Sequence, residues 1–392
     1  MPDTTRRPKF EFADGLRAVA ALSVAVFHAT AFTGHTGDVD ESLPALARIV
    51  EIGDYAVPVF IVLSGYVLML PVARTEGYAL RGGVWKYIGR RARRILPPYY
   101  ASLALFLVLI ALIPVLQNPH DTAWDNKIPV TAGGLVSHLL LVHNWSPGWI
   151  YQINGPAWSV ATEWHIYFLM PLVLLPLCRL LNPWLMLVVA LAMGPAITSL
   201  FPSAGSGNYW FIGLFALGMI AALLTVRGTR DVRWLGWAAA GVFAVAVLWT
   251  ILDAPDGRLA EIASETLVGA AVAMGLVAMG RAATAEKRSV GRRVFEWRPL
   301  VNVGLWSYSI YLIHSPLLGL ANLMLLPLGL PTLAHWLVMV FLVLPVVLAV
   351  CRVFFLLVER RFTTSHQQRE FTRDSGRTTG RTGPERPHAL ET

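Results

Sequence analysis

Stretches of mostly apolar residues recur along nearly all of this 392-residue chain. A helix needs roughly 20 such residues to cross a bilayer core of about 30 Å. Only 14% of the residues are charged, against roughly 25% in soluble domains, which is too few to cover a water-facing surface. We therefore predict an all-α polytopic membrane protein with about ten transmembrane helices. The predicted spans are 14–34, 54–73, 95–116, 157–180, 184–201, 209–226, 234–252, 262–280, 299–320 and 333–358.

The basic residues indicate which side of the membrane each loop occupies. With the N-terminus in the cytoplasm, all but three of the 32 Lys and Arg residues fall on the cytoplasmic side; the exceptions are Arg48, Lys127 and Arg258. Because Lys and Arg concentrate in cytoplasmic loops, this distribution predicts that both termini are cytoplasmic. Attraction to anionic membrane lipid accounts for the net charge of +8, so we expect no nucleic-acid partner.

The chain divides into one membrane domain, residues 1–362, and a tail at 363–392 that is rich in Arg, Thr, Gly and Glu. So few apolar residues cannot form a core, and we predict a disordered cytoplasmic tail. The apolar stretch at 135–145 is below spanning length and predicts an interfacial or re-entrant segment. Cys178 and Cys351 both lie near inner helix ends, so we expect neither an external disulfide nor a metal site.

Three ionisable side chains interrupt different predicted spans. His28 follows Arg17 by eleven residues in the first predicted span. Counted from the start of that span at residue 14, it lies roughly 20 Å above the inner boundary at 1.5 Å per residue. His314 reaches about the same height in the ninth span by the same calculation. Glu163 enters with the fourth span from the outer side, beside His165. The sequence therefore predicts His28, Glu163 and His314 at one depth in the outer half of the bilayer.

Two interpretations of these three residues are open. Each polar group can simply satisfy a neighbouring helix through an interhelical hydrogen bond. Alternatively, ionisable residues within a span mark a functional site. A histidine has the ordinary pKa of a general base at neutral pH, and a neighbouring carboxylate can orient its ring. On these residues alone, His28, His314 and His165 all stay open as the base; if His28 is the base, Glu163 or His314 is placed to orient it.

A basic cluster comes directly before the third span. Arg90, Arg91, Arg93 and Arg94 form two overlapping pairs with a spacing of three residues. Residues three apart share a helix face, so either Arg90 with Arg93 or Arg91 with Arg94 is suited to grip one anionic group. The competing interpretation is an ordinary cytoplasmic topology anchor.

Two further patterns have competing interpretations. Ser64 and Gly65 form a small patch that predicts either close helix packing or access for a thin ligand. A set of aromatic residues on the outer side predicts either an interfacial belt or a stacking surface for a ring-containing acceptor. That set comprises Trp145, Trp149, Tyr151, Trp158 and Trp164.

Taken together, these motifs resemble acyltransferase family 3, the bacterial membrane O-acyltransferases. The matching elements, in the family's order, are DGLRAVAALSVAVFHA, FIVLSGYVL, RRARRILPPYY, WSVATE, SYSIYLIHSP and VERRF. They extend over residues 12–362. The resemblance implies a ten-helix enzyme of the bacterial cytoplasmic membrane. It also implies a cytoplasmic acyl-CoA co-substrate, usually acetyl-CoA, with no bound cofactor.

The resemblance also assigns roles to individual residues. His28 matches the family's catalytic histidine, Arg17 its partner in the same signature, and Arg90 to Arg94 the motif of acyl-donor binding. The implied acceptor is a hydroxyl of a glycan or of a secreted small molecule such as a macrolide. The role of Glu163 in the Trp-Ser-x-x-x-Glu signature stays open, as does a covalent acyl-histidine intermediate. A proton-coupled secondary transporter is the alternative function, because intramembrane His and Glu also form proton relays.

Overall fold

The computed structural model describes residues 10–229, 232–252 and 257–363. Within these ranges the chain forms helices and turns and contains no strand. The all-α prediction is therefore confirmed. The predicted tail at 363–392, apart from Thr363, lies outside the described residues, and the cytoplasmic placement of the termini stays a prediction.

Ten helices correspond to the ten predicted spans. Their bounds are α1 (Glu11–Ala31), α2 (Ala56–Ala73), α3 (Gly83–Leu112), α4 (Ala157–Leu180), α5 (Pro183–Leu200), α6 (Phe211–Arg227), α7 (Trp234–Ile251), α8 (Arg258–Thr284), α9 (Ser307–Leu325) and α10 (Thr332–Leu357). Within the described ranges, nine of these helices are long and apolar enough to cross a membrane. This count takes α2 together with the helix that precedes it, Pro44–Glu51. The tenth, α6, has 17 residues and is buried along most of its length.

Shorter helices connect these elements. The segment predicted at 135–145 forms a helix, Ala132–Leu139, and a single turn, His143–Trp145, both too short to span a bilayer. Asp38–Ser42 and Pro44–Glu51 lie between α1 and α2, and Val290–Phe295 and Arg298–Gly304 lie between α8 and α9.

Glycines bring α2 and α6 into close contact at the centre of the protein. A Cβ atom on Gly65 would lie 2.1 Å from the carbonyl oxygen of Phe215, and one on Gly218 would lie 2.0 Å from that of Val62. No side chain fits at either position. The small patch predicted at Ser64 and Gly65 therefore includes a helix-packing contact, as expected for small residues between membrane helices.

Small residues also let α1 approach its neighbours. Ala18, Ala21, Ala25 and Ala29 recur every three or four residues and are buried, which creates a narrow face along the helix. The C-terminal half of α1 packs against α9. At the other end, Gly15 contacts the backbone of the short helix Val290–Phe295. These contacts fix the positions of both Arg17 and His28.

Candidate active site

Two cavities share one wall inside the helix bundle. We call the first the arginine cavity; the polar side chains that line it are Arg17, Ser64, Arg91, Arg94, Ser159, Glu163, Tyr167, Ser307 and Tyr308. We call the second the histidine cavity; the polar and aromatic side chains that line it are Phe27, His28, Phe32, Asp54, Asn126, Lys127, Tyr151 and Trp158. Val57 and Tyr311 line both cavities. These two side chains therefore form the wall between them.

Hydrogen bonds fix Tyr311 in this wall. Its hydroxyl donates to the carbonyl oxygen of Pro156 at 3.0 Å and pairs with the hydroxyl of Ser159. The ring of Phe60 packs edge-on against it, with the centroids 5.9 Å apart. Since Tyr311 is buried and held from two sides, the wall has a defined position rather than a mobile one.

The packing of α1 on α9 brings two predicted residues together. Nδ1 of His28 lies 3.0 Å from Nε2 of His314, and the ring centroids are 4.9 Å apart. His314 is completely buried, whereas His28 is partly exposed and lines the histidine cavity. The matched depth predicted from the helical rise is thus accompanied by direct contact for this pair.

The surrounding carbonyl groups determine which ring nitrogens carry protons. Nδ1 of His314 lies 2.7 Å from the carbonyl oxygen of Ile310, and Nδ1 of His28 lies 3.0 Å from that of Val24. A carbonyl oxygen only accepts, so both Nδ1 atoms are donors. Nε2 of neutral His314 then accepts from Nδ1 of His28. This assignment leaves the lone pair of His28 on Nε2, which makes no hydrogen bond within the described chain.

Glu163 does not join this pair. Its carboxylate accepts hydrogen bonds from the hydroxyl of Ser64, at 2.5 Å, and from the hydroxyl of Tyr167. It lines the arginine cavity and is the one acidic side chain in that lining. The structure therefore does not place Glu163 beside His28 and His314, contrary to the prediction from the sequence. A depth predicted from the helical rise does not determine which neighbouring helix a side chain faces.

The basic cluster of α3 divides into two faces. Arg91 and Arg94 line the arginine cavity, whereas Arg90 and Arg93 are exposed and do not line it. Of the two predicted pairs, only one faces the candidate site. Nε of Arg91 is buried without a hydrogen-bond partner among the described residues, and a buried guanidinium N–H without a partner favours an anionic ligand.

Neighbouring carboxylates position the other arginines of this cavity. Arg17 donates to the carboxylate of Asp14 at 2.7 Å, one turn away on α1. The charge of Arg94 acts on the buried Glu359, whose carboxylate accepts from the backbone and the hydroxyl of Ser309, at 3.0 and 2.5 Å. Burial raises the pKa of Glu359, and the Arg94 guanidinium opposes that rise. The final VERRF motif thus reaches the candidate site through Glu359.

His165, the other alternative base, lies elsewhere. Its Nδ1 is 3.3 Å from the hydroxyl of Tyr209, and its ring packs between Tyr209 and Trp145. It lines neither cavity. Of the five aromatic residues predicted as a belt or a stacking surface, Tyr151 and Trp158 line the histidine cavity.

Lys127 is the residue of this site that the sequence did not reveal. Its side chain is buried, and it lines the histidine cavity together with His28. The available signal was its place among the three basic residues that the sequence predicts on the outer side. Nothing in the sequence predicts that the connection between α3 and α4 folds inward there.

The arrangement joins a basic cavity to one that contains a histidine with a free lone pair. An anionic group fits the first, and proton removal from a hydroxyl is the chemistry available in the second. The described residues contain no cluster of three or more His, Cys, Asp or Glu side chains able to hold a metal.

Comparisons with known proteins agree with this description. The family model described as an acyltransferase domain matches residues 10–354, from the start of α1 to near the end of α10. The chain is also similar to the acyltransferase MdmB of Streptomyces mycarofaciens. The two are 28% identical over 324 residues, which cover 76% of each protein. No solved structure matches this chain.

Proposed function

This chain belongs to the acyltransferase domain family, and on that premise we propose that it transfers an acyl group from acyl-CoA to a hydroxyl group. The donor we propose is acetyl-CoA, used as a co-substrate from the cytoplasmic side. The acceptor is a hydroxyl of a glycan or of a secreted small molecule such as a macrolide. Membership of this family favours an enzyme over the alternative of a proton-coupled transporter.

One observation carries this proposal: the arginine cavity and the histidine cavity share the wall of Val57 and Tyr311. Arg17 and His28 lie eleven residues apart on α1, which corresponds to about 16 Å along the helix axis. A donor with an anionic end and a reactive end separated by a long flexible arm suits that geometry. Its phosphates bind at the arginines while its thioester reaches the wall.

Arg17, Arg91 and Arg94 supply the donor site in this proposal. Planar guanidinium groups form paired hydrogen bonds with phosphate oxygens, and the unpaired Nε of Arg91 leaves one such donor available. Glu163, held by Ser64 and Tyr167, lies in the same cavity. We assign Glu163 to shaping the donor cavity rather than to proton transfer, because its two hydrogen bonds are directed away from the histidine pair.

His28 performs the proton transfer in this scheme. Its Nε2 takes the proton of the acceptor hydroxyl while the oxygen attacks the carbonyl carbon of the thioester. The tetrahedral adduct then expels the CoA sulfur, which takes the proton from Nε2 and leaves as the thiol. His314 accepts from Nδ1 of His28 throughout, so it orients the ring and stabilises the imidazolium, as a carboxylate does in other acyl-transfer sites.

The acceptor would bind in the histidine cavity. Tyr151 and Trp158 offer aromatic faces there, and Asp54 and Asn126 offer polar groups. Aromatic faces bind the apolar faces of rings, and the polar groups fix the orientation of hydroxyl groups. This combination favours a sugar or another ring-containing acceptor.

The test uses the full-length protein in lipid nanodiscs with acetyl-CoA labelled in the acetyl group. Glycans and macrolides are supplied as acceptors, and both labelled product and released CoA thiol are measured. We expect label on an acceptor hydroxyl with one thiol released per product, and neither with His28→Ala. Uptake of an acceptor into liposomes without thiol release would instead support a transporter.

A further inference from the structure

Lys127 is placed in the histidine cavity by the connection between α3 and α4. Only 6% of the residue is exposed. It is the one Lys or Arg side chain among those that line the cavity, and His28 lines the same cavity. Its ammonium group therefore faces the space in which the acceptor and thioester would react.

No carboxylate of the described residues pairs with this ammonium group. Nζ donates to the carbonyl oxygen of Ala123 at 3.2 Å and to the side-chain oxygen of Asn126. The rings of Phe32 and Tyr151 lie 5.5 and 5.9 Å from it. Burying a charge without an opposite charge is costly. A third N–H of the ammonium group is left without a partner within the part of the chain that the structure describes.

The surrounding chain makes room for this group. A Cβ atom on Gly155 would lie 2.9 Å from both Cε and Nζ of Lys127, so any larger residue at that position would displace the amine. The backbone N–H of Ile153 donates to the carbonyl oxygen of Lys127 at 3.0 Å, which ties the two ends of the loop together. A fixed, buried cation with one unpaired N–H is the arrangement that electrostatic catalysis requires.

We propose that Lys127 is a catalytic residue that stabilises the oxyanion of the tetrahedral adduct; this inference rests on the proposed acyl transfer. When the acceptor oxygen bonds to the carbonyl carbon, the π electron pair moves to the carbonyl oxygen, which becomes negative. The free N–H of Lys127 donates to that oxygen. When the carbonyl re-forms, the electron pair returns and the carbon–sulfur bond breaks. Lys127 keeps its proton, and His28 carries the transferred one.

The pH dependence of kcat distinguishes a catalytic Lys127 from a structural one. Burial lowers the pKa of Lys127 to about 8. The other titratable groups that face the cavity are His28 on α1, Asp54 before α2, Tyr151 in the same loop and Tyr311 on α9. Because only the charged amine stabilises an oxyanion, kcat should fall as the pH rises above about 8.

The experiment measures kcat and both KM values between pH 6 and 10 for the native protein, Lys127→Met and Lys127→Arg. Acetyl-CoA is the donor, and the acceptor is the one that the assay above identifies, or water if only slow hydrolysis is found. Losing one oxyanion donor typically lowers kcat by about 10²–10³-fold. We expect that loss in Lys127→Met, KM values within about threefold, and no decline above about pH 8 in the residual rate of either variant.

Arg48→Met is the matched control, because it removes a basic residue of the same side that lines neither cavity. We expect kcat within about twofold of the native value. A kcat for Lys127→Met within about fivefold of native, or a large change in acceptor KM alone, would overturn the proposal. So would a stable acetyl amide on Lys127, detected by mass spectrometry after incubation with acetyl-CoA, since it would make the amine a nucleophile.

The two proposals fail in different ways. If the native protein neither releases thiol from acetyl-CoA nor gains thermal stability on adding CoA, acyl transfer itself is wrong. If it does both and Lys127→Met retains the native kcat and pH profile, only the role of Lys127 is wrong. Removing an unpaired buried charge favours folding, so we expect Lys127→Met to fold at least as well as the native protein.

Discussion

Nδ1 of His28 donates to Nε2 of His314, at 3.0 Å, across the contact between α1 and α9. The same Nδ1 also lies 3.0 Å from the carbonyl oxygen of Val24. Both contacts require the proton on Nδ1, so they direct the lone pair of His28 into the histidine cavity. A second histidine thereby has the orienting role that a carboxylate has in a Ser-His-Asp triad.

Replacing His28 by alanine should abolish acyl transfer while leaving the fold intact. Removing a general base costs about 10²–10⁴ in rate, whereas one interhelical hydrogen bond is worth only about 0.6–2 kcal/mol. Turnover and thermal stability in detergent, measured together, separate the two effects. His165→Ala is the control, and it should retain most of its activity because His165 lines neither cavity. Turnover within about fivefold of native in His28→Ala would remove His28 from the mechanism.

His314→Ala should lower kcat by about tenfold or more, yet less than His28→Ala does, because His314 positions the base without touching substrate. His314→Gln keeps a side-chain acceptor and should recover part of the loss. The pH dependence of kcat is the informative measurement. We expect its acidic limb to shift in His314→Ala, since the imidazolium of His28 loses an acceptor. An unchanged pH profile would make His314 a packing residue.

Arg91→Ala should raise KM for acetyl-CoA about tenfold or more, because one charge-assisted hydrogen bond is worth roughly 1.5–3 kcal/mol. KM for the acceptor should change little. Arg90→Ala and Arg93→Ala are matched controls on the exposed face of the same helix, and each should leave donor KM nearly unchanged. If all three variants raise donor and acceptor KM alike, the cluster serves as a topology anchor.

Cysteine labelling tests the sidedness expected from the basic residues. In a variant with Cys178 and Cys351 replaced by alanine, single cysteines are placed at the exposed positions Glu41 and Arg81. A membrane-impermeant maleimide should label position 41 in intact cells and position 81 only after permeabilisation. The reverse pattern would invert the proposed donor and acceptor sides.

The sequence predicted the parts of this site that depend on helix geometry alone. The constant rise of 1.5 Å per residue placed His28 and His314 at one height on separate helices. A spacing of three residues limited the arginines to two candidate pairs, one of which lines the cavity. Neither inference needs to know which helices are neighbours.

The remaining parts of the site depend on packing that periodicity does not encode. The helical rise predicts one depth for Glu163 and the histidines, but the rotation of α4 directs Glu163 to Ser64 on α2. Lys127 was hidden for a different reason. It lies in a connection with no regular repeat, and its position depends on contacts with Ala123, Asn126 and Gly155.

The wall of Val57 and Tyr311 has a consequence for where the energy of the reaction comes from. In the proposed scheme, CoA stays on one side of this wall and the acceptor on the other, and only the acyl carbon meets both. An acceptor in a compartment that holds no activated thioesters would then be acylated by thioesters from the cytoplasm. The acylated product would then form on the far side of the membrane, and the acceptor would never have to cross the membrane.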